Sequence, residues 1–482
     1  MTRRVLCLGL TFMVATALAA PAEPLEALPG GAPPETLADC IRSAREGNPE
    51  LARRKLNGEE LRGQGWQAVA TGMPSLDLSG TWSRSRDPSF LLDESFSGGG
   101  DPGTGTLSPD AQAVLDELAP IFAFPDPGDL EAQTFWRAAL SADWELNPFR
   151  VTNSMSAVKV RLRQQDADLQ DTDHRVVEET LRTFHEVSLH HERVEAMAAE
   201  VAAREEFLDI TRRRFELELA TELDTLEAAV SLANLLPESR RARTDLRNTA
   251  SRLNLVMGRD PTAPLTIVPV EAIETEPVPV EEAMSLLQSR PDLVSRDLQV
   301  EFLRKRRGVE RAELRPFLSA SGAYGYVSRT LDDLGDTDYW RADVSLIVPL
   351  FNGFATKGRV QELNATIAIA ERDLQEARRQ ARLEVATTLE EREAARESWE
   401  AASLTLDAAE RALELTTMRF DLGQDDFVDV LNAQSQRFDA RRNLIEARYD
   451  LLVQTAALKR SLGSDPTLPL SQVREPEPEA DR

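Results

Sequence analysis

Apolar positions along this chain follow two rhythms. From Thr356 onward, Leu363, Ile367, Ala370, Leu374, Ala377 and Ala381 recur at spacings of three and four, the period of an α-helix. The pattern runs on to Phe420 and predicts a helix over 355–420, roughly 65 residues and about 100 Å long at ~1.5 Å per residue. A polar turn, Leu422-Gly423-Gln424-Asp425-Asp426, follows, and a second helix is predicted over 426–462. No globular core element is that long, so the hairpin must be buried against something equally long. Val158, Leu162, Leu169, Val176, Leu181, Phe184 and Val187 predict an earlier helix over 152–215, with a turn at 218–221 and a partner helix over 221–257.

The second rhythm is alternation. Leu76, Leu78 and Gly80 alternate with Asp77, Ser79 and Thr81, and Trp82 keeps the apolar register, which predicts a strand over 74–85 with one apolar face. Further strands are predicted over 135–147, 316–329 and 339–350. Short helices precede the first strand, at Thr36–Glu46 and again from Pro49 to about Val69, the second with proline in its first turn.

These elements repeat. Pro49 and Pro291 stand 242 residues apart, as do Pro74 and Pro316, and Gly80 and Gly322. Past the strand loop the offset is 204, where Trp136-Arg137-Ala138 answers Trp340-Arg341-Ala342. Through the hairpins it is 205, pairing Phe215 with Phe420, Asp224 with Asp429 and Gly258 with Gly463. Fixed offsets of this kind mark an internal duplication. The two copies span 35–261 and 281–463, joined by a Pro- and Val-rich connector over 262–280. The first copy alone carries a long Gly- and Pro-rich loop over 86–134.

Four strands cannot close a barrel, and an open sheet edge is forbidden inside lipid. If the strands enter a membrane, several copies must contribute, and three copies supply twelve, an even number within the outer-membrane range. The chain's ends and charge narrow the setting. Arg3 and Arg4, the apolar run Val5–Leu18 and Ala17-Leu18-Ala19 read as a signal peptide over 1–19, followed by an extended leader over 20–34. After it no apolar stretch reaches 18 residues, so no helical span is predicted, although short strands can cross an outer membrane without a hydropathy signal. Cys40 is left as the single cysteine and makes no intrachain disulfide. A formal net charge of -26 argues against a nucleic-acid partner. The Glu-Pro run Glu475–Glu479 predicts a disordered tail over 464–482. His174, His185, His190 and His191 share one predicted helix without forming a metal pair, and no catalytic motif appears in a supporting context. The reading is of a protein that is no enzyme and needs neither cofactor nor metal.

Two motifs carry a family resemblance. Arg419-Phe420-Asp421-Leu422-Gly423, followed by Asp429-Val430-Leu431-Asn432-Ala433-Gln434, resembles the hairpin signature of the TolC-like outer membrane efflux proteins. Val348-Pro349-Leu350-Phe351-Asn352-Gly353 resembles their strand-to-helix junction, and Met257-Gly258 and Leu462-Gly463 resemble their helix ends. The resemblance spans about Pro34 to Gly463. It implies a mainly α fold with a membrane β-barrel part: two tandem repeats, assembled as a homotrimer into a twelve-stranded β-barrel continuous with a twelve-helix periplasmic α-barrel. It also implies a passive exit duct in the outer membrane of a Gram-negative bacterium, reaching into the periplasm. The partners it implies are outer membrane lipid, a periplasmic adaptor and an inner membrane pump of an efflux or type I secretion system.

Under that resemblance the hairpin tips form a periplasmic gate, with Gly423 at the turn. Asp429 falls on one of two acidic positions of the family, and Asn432 stands at the other, where this chain lacks the charge. Asp425 and Asp426 lie close by, and Asp224 and Glu227 occupy the matching stretch of the first copy. Carboxylates multiplied by threefold symmetry would favour cations. Pro148, Pro349 and Gly353 mark the strand-to-helix junctions. Trp82, Trp136, Trp144, Tyr324, Tyr326, Tyr339 and Trp340 cluster in the strand regions and are expected as membrane-interface aromatics. Two other readings fit parts of the sequence. An exported coiled-coil structural or adaptor protein explains the hairpins but not the duplicated aromatic strands. A pump-independent pore explains the strands but leaves the hairpins without a use.

Overall fold

The computed structural model describes residues 34–85, 132–270 and 273–470. The expected signal peptide, the leader up to residue 33, loop positions 86–131 and the tail from residue 471 lie outside the described residues. In chain order the elements are α1 (Leu37–Gly47), α2 (Pro49–Ala70), β1 (Ser75–Ser85), β2 (Gln133–Leu146), α3 (Pro148–Glu216) and α4 (Glu222–Val256). They continue as α5 (Val280–Ser285), a 3-10 turn (Leu286–Ser289), α6 (Pro291–Ala312), β3 (Phe317–Ser328), β4 (Asp338–Ile347), α7 (Ala355–Asp421) and α8 (Phe427–Ser461). The long helices α3 and α7 have 69 and 67 residues. The chain forms two compact units. Among the described residues, one holds the four strands, within 54–85, 132–170 and 291–380; the other comprises 34–53, 171–270, 273–290 and 381–470.

In the strand unit the sheet order is β1-β2-β3-β4, every pair antiparallel. The β2–β3 pairing depends on Gly325, where an added Cβ would lie 2.4 Å from the Ala138 carbonyl oxygen and 2.9 Å from Ala139. Val300, Leu303 and Ile367 bury the α6–α7 contact, with Phe302 and Ala370 against them. Helix α3 starts four residues before the expected 152. Asn147 caps it by accepting the Arg150 N–H at 3.0 Å, and Pro148 takes the first helical position, where a missing N–H costs nothing. Strand β4 stops at Ile347 rather than 350, because Pro349 has no N–H to offer the ladder.

In the other unit α1 is a short amphipathic helix. Its N-terminus is closed by a Thr36/Asp39 capping box, and Ile41 packs against Val177, Leu181 and Ala456. Arg45 donates to Asp173 at 2.8 Å and to Asp465 at 2.7 Å. Helices α4 and α8 end in the same way. Gly258 (φ 73°) and Gly463 (φ 78°) take the left-handed conformation, and the next residue's N–H reaches back five positions, Arg259 to Asn254 at 2.8 Å and Ser464 to Lys459 at 3.2 Å. Gly258 also abuts Gly47, whose carbonyl oxygen would be 2.0 Å from a Cβ at 258.

One expectation needs correction here. The disordered tail does not begin at 464, since Asp465 holds Arg45 and turns the chain through Thr467, and the Leu470 N–H bonds Glu274 at 3.0 Å. The described parts of the connector are held by hydrogen bonds. Ile267 makes a parallel bridge with Glu35, and Arg392 donates to the carbonyls of Glu274 and Glu276 at 2.8 and 2.9 Å.

Two outcomes follow from this packing. Gly325→Val should block β2–β3 pairing and abolish the folded protein, whereas Gly322→Val, next to which only the Arg341 carbonyl approaches at 3.8 Å, should be tolerated. Resistance to protease and the heat-dependent gel shift of the extracted protein read both. The second outcome concerns His185, buried on α3, with its pKa pushed down to about 4 by burial and then by Lys459 and Arg448. Unfolding returns it to about 6.5, so the unfolded chain binds the proton first. Its contribution is intact above pH 6.5 and is lost as pH falls toward 4, by up to about 3 kcal/mol. His185→Phe should flatten that part of the stability–pH curve, measured by denaturant titration between pH 7 and pH 4.5.

Candidate functional sites: a two-faced sheet and paired hairpin tips

The strand register sorts the side chains. One row across the sheet reads Leu78, Leu140, Tyr324, Trp340; others read Leu76, Ala142, Gly322, Ala342 and Trp144, Ala320, Val344. Because side chains alternate along a strand, all of these share one face, together with Trp82, Trp136, Ala138, Tyr326 and Leu346. The opposite face carries Ser75, Asp77, Ser79, Arg137, Ser141, Asp143, Ser321, Arg341 and Asp343. The large apolar side chains Leu76, Leu78, Trp82, Leu140, Tyr324, Trp340, Val344 and Leu346 are exposed on the described chain. A contiguous apolar sheet face of this kind marks a surface that meets lipid or another protein.

The register also divides the expected interface aromatics. Trp82 and Trp136 sit opposite one another near the loop end of the sheet, rings 6.3 Å apart, and Tyr324 and Tyr326 pack edge-to-face at 5.7 Å. Trp144 lies toward the helix end, its indole N–H donating to the Gly72 carbonyl at 2.9 Å. Tyr339 does not belong with them. It pairs with Gly325 on the polar face, where Arg137 lies 5.8 Å from its ring centre. Its odd position in the β4 alternation, next to Trp340, puts it there.

The second candidate site is at the helix reversals, which share one design. Just past α3 Glu218 stands at φ 60°, and just past α7 Gly423 stands at φ 70°. In each the following N–H reaches back five positions, Leu219 to Arg214 and Gln424 to Arg419, both at 2.8 Å. Glu218 holds without a glycine a conformation that an L side chain disfavours. The next helix then opens on a capping box. The Thr221 N–H donates to Asp224 at 2.7 Å, and the Asp426 N–H donates to Asp429 at 3.1 Å. Asp224 and Asp429, read from sequence as gate charges, therefore both satisfy helix N-termini.

The reversals pack together through aromatic contact. Leu208, Ala228 and Phe427 form a buried cluster with Phe207, Leu232, Phe420 and Leu431 around it. The Phe207 and Phe427 rings stack at 5.0 Å, and Arg214 sits 4.5 Å over the Phe420 ring. A cavity of about 420 Å³ between the reversals is lined by Arg214, Asp224, Asp425 and Asp426 among others. Asp429, Asn432 and Glu227 are outside that lining; Asp429 and Asn432 are exposed and one helical turn apart on α8. Asp425 is not a bare carboxylate, since Arg419 pairs with it at 2.8 Å. The three aspartates grouped by sequence thus have three different environments.

Sequence reading missed the charged centre just above. Glu200, 2 % exposed, accepts from Arg204 at 2.8 Å and from Arg437 at 2.9 Å. Arg204 also donates to Ser231 at 2.6 Å and Ser435 at 3.1 Å, so α3, α4 and α8 meet at one guanidinium. Glu200 and Arg204 are four apart, a spacing that on most helices marks a solvated pair; burial alone distinguishes this one. Glu200→Ala should leave the buried Arg204 without its carboxylate, cost about 3 kcal/mol and loosen the reversals. Glu200→Gln should cost less. Hydrogen exchange of the 200–232 and 427–437 amides checks the direction and its localisation.

Comparison with known proteins agrees with this geometry. Residues 40–259 and 283–464 match the outer membrane efflux protein family. The chain is similar to the outer membrane protein TolC of Vibrio cholerae, 24 % identical over 322 residues, covering 64 % of this chain and 73 % of that protein. Among solved structures, the Campylobacter jejuni CmeC outer membrane channel superposes with a TM-score of 0.74 at 18 % identity, covering 89 % of this chain and 86 % of that one. The outer membrane protein VceC from Vibrio cholerae superposes with a TM-score of 0.70 at 18 % identity, covering 89 % and 96 %. With a family match that takes in most of the chain and both of its halves, this protein belongs to the outer membrane efflux protein family.

Proposed function

We propose that three copies of this outer membrane protein assemble into the passive exit duct of a tripartite efflux or type I secretion system. In this reading the two tandem repeats of each chain contribute four strands to one twelve-stranded β-barrel. The long helices of the three chains line a periplasmic α-barrel twelve helical paths around. An inner membrane pump supplies the energy and a periplasmic adaptor joins it to the duct; this chain supplies the conduit and performs no chemistry. The observation that carries the reading is the sheet register. It gives all four strands one apolar and one polar face, as lipid outside and water inside require, while among the described residues β1 and β4 each pair on one side only.

The hairpin reversals serve as the periplasmic gate. Asp429 and Asn432, exposed on α8, are the side chains best placed to line a threefold constriction, with Asp426 beside them at the helix start. Asp425, neutralised by Arg419, contributes to the shape of the tip and not to its charge. Three Asp429 carboxylates at a narrow opening attract cations.

Mass measurement of the detergent-extracted protein should give three chains, and a stable folded monomer would overturn the duct. Reconstituted channels should prefer cations and be blocked by trivalent cations from the periplasmic side. Asp426→Asn with Asp429→Asn should weaken both by several-fold, leaving the trimer intact because asparagine still caps a helix. Unchanged block in that variant would remove these residues from the constriction.

A further inference from the structure

The strand-to-helix junction carries more exposed apolar surface than the ladder needs. Past Ile347, Val348 and Leu350 keep the alternation of Leu346, and Leu350 is 90 % exposed. Phe351, Phe354 and Phe149 follow at 69 %, 65 % and 48 %. Phe354 stands at φ 67° immediately after Gly353 at φ 65°. A bulky residue in the left-handed region is strained, and here the strain holds a phenyl ring at the surface, edge-to-face with Phe351 at 5.0 Å.

Two cations lie against these rings. The Lys357 ammonium is 5.6 Å from the centre of the Phe354 ring, and the Arg315 guanidinium is 5.5 Å from that of Phe149. Both are exposed, and neither forms an ion pair with a carboxylate among the described residues. Their neighbour Arg359 shows the contrast, since it is neutralised by Glu310 at 2.7 Å and by Glu313. The two ring–cation pairs belong to one patch. Asn147, two residues before Phe149, donates to the Ala312 carbonyl at 2.9 Å, and Thr356, next to Lys357, donates to Glu313 at 3.1 Å. In a chain of net charge -26, unneutralised cations set among exposed phenylalanines call for an anionic, amphipathic ligand.

We propose that this junction binds the headgroups of acidic phospholipids in the periplasmic leaflet of the outer membrane. The rings of Phe149, Phe351 and Phe354 and the side chain of Leu350 enter the acyl boundary. Lys357 and Arg315 meet the phosphate, held at that depth by the rings beneath them. A zwitterionic headgroup offers the same phosphate but carries its own ammonium, which competes with the protein's cations. This inference rests on the proposed membrane orientation, with the helices on the periplasmic side of the strands.

The test is native mass spectrometry of the purified full-length protein, with phosphatidylglycerol and phosphatidylcholine of matched chains titrated in parallel. Each cation near an anionic lipid surface contributes about fivefold. Wild-type protein should therefore retain phosphatidylglycerol at least about tenfold more strongly. Arg315→Gln with Lys357→Gln should bring the two lipids to near parity at unchanged assembly mass, and Arg315→Lys with Lys357→Arg should keep the preference. If the double glutamine variant does not assemble, the single variants should each lose about fivefold. Equal retention of both lipids by wild type, or an unchanged preference in the glutamine variants, would overturn the proposal. So would release of phosphatidylglycerol by millimolar inorganic phosphate at constant ionic strength, which would make the patch a phosphate site and not a lipid site. Failure of the wild-type protein to enter bilayers at all would instead overturn the membrane reading on which the proposal rests.

Discussion

A backbone amide in hydrocarbon has no water to bond, so a sheet that enters lipid must leave no edge unpaired. The described residues make four strands in the order β1-β2-β3-β4, and among them the two outer strands are each bonded on one side only. Its sheet has an apolar face that no described part of the chain covers and a polar face rich in serine and aspartate. Such a sheet is not stable alone, in water or in lipid. The helices beside it are far longer than one small sheet needs for support.

The helices raise a second physical problem, that of reversing a long helix without leaving its end groups unsatisfied. Both reversals solve it alike. A left-handed residue returns the last carbonyls to following N–H groups, and a threonine or aspartate then opens the next helix with a reciprocal aspartate three residues on. The same carboxylates that attract attention as charges are thus in part structural. The first copy performs the turn with Glu218 where the second has Gly423, so the two reversals are alike in hydrogen bonding and unequal in backbone strain.

Charge is also carried inside the helical unit. Glu200 with Arg204 and Arg437, Arg45 with Asp173 and Asp465, and Lys459 with Glu274 are cross-element pairs that fix how helices and connector meet. Charged residues make up 29 % of the chain. Some of that charge has to be enclosed, and each enclosed group needs its partner because an orphaned charge in a dry site costs several kcal/mol.

The sequence by itself determined what depends on local periodicity. Spacings of three and four gave the long helices, alternation gave the strands, Gly423 marked a reversal, and constant offsets between Pro49 and Pro291 or Phe215 and Phe420 gave the duplication. Those signals are repeated many times, so they survive the loss of any one residue. The family motif around Gly423 and Asp429 was readable for the same reason, being contiguous. What only the tertiary structure decided concerns single residues whose neighbours are distant in sequence. Tyr339 leaves the aromatic band because register, and not residue type, assigns a face. Asp425 is paired with Arg419, Glu200 becomes a buried hub although its spacing to Arg204 is that of a surface pair, and Ser464–Leu470 is tied down by Arg45 and Glu274. A side chain's burial and its partner are set by what the fold brings beside it, and in these places the deciding groups lie tens to hundreds of positions away or across a turn whose geometry a linear reading does not contain.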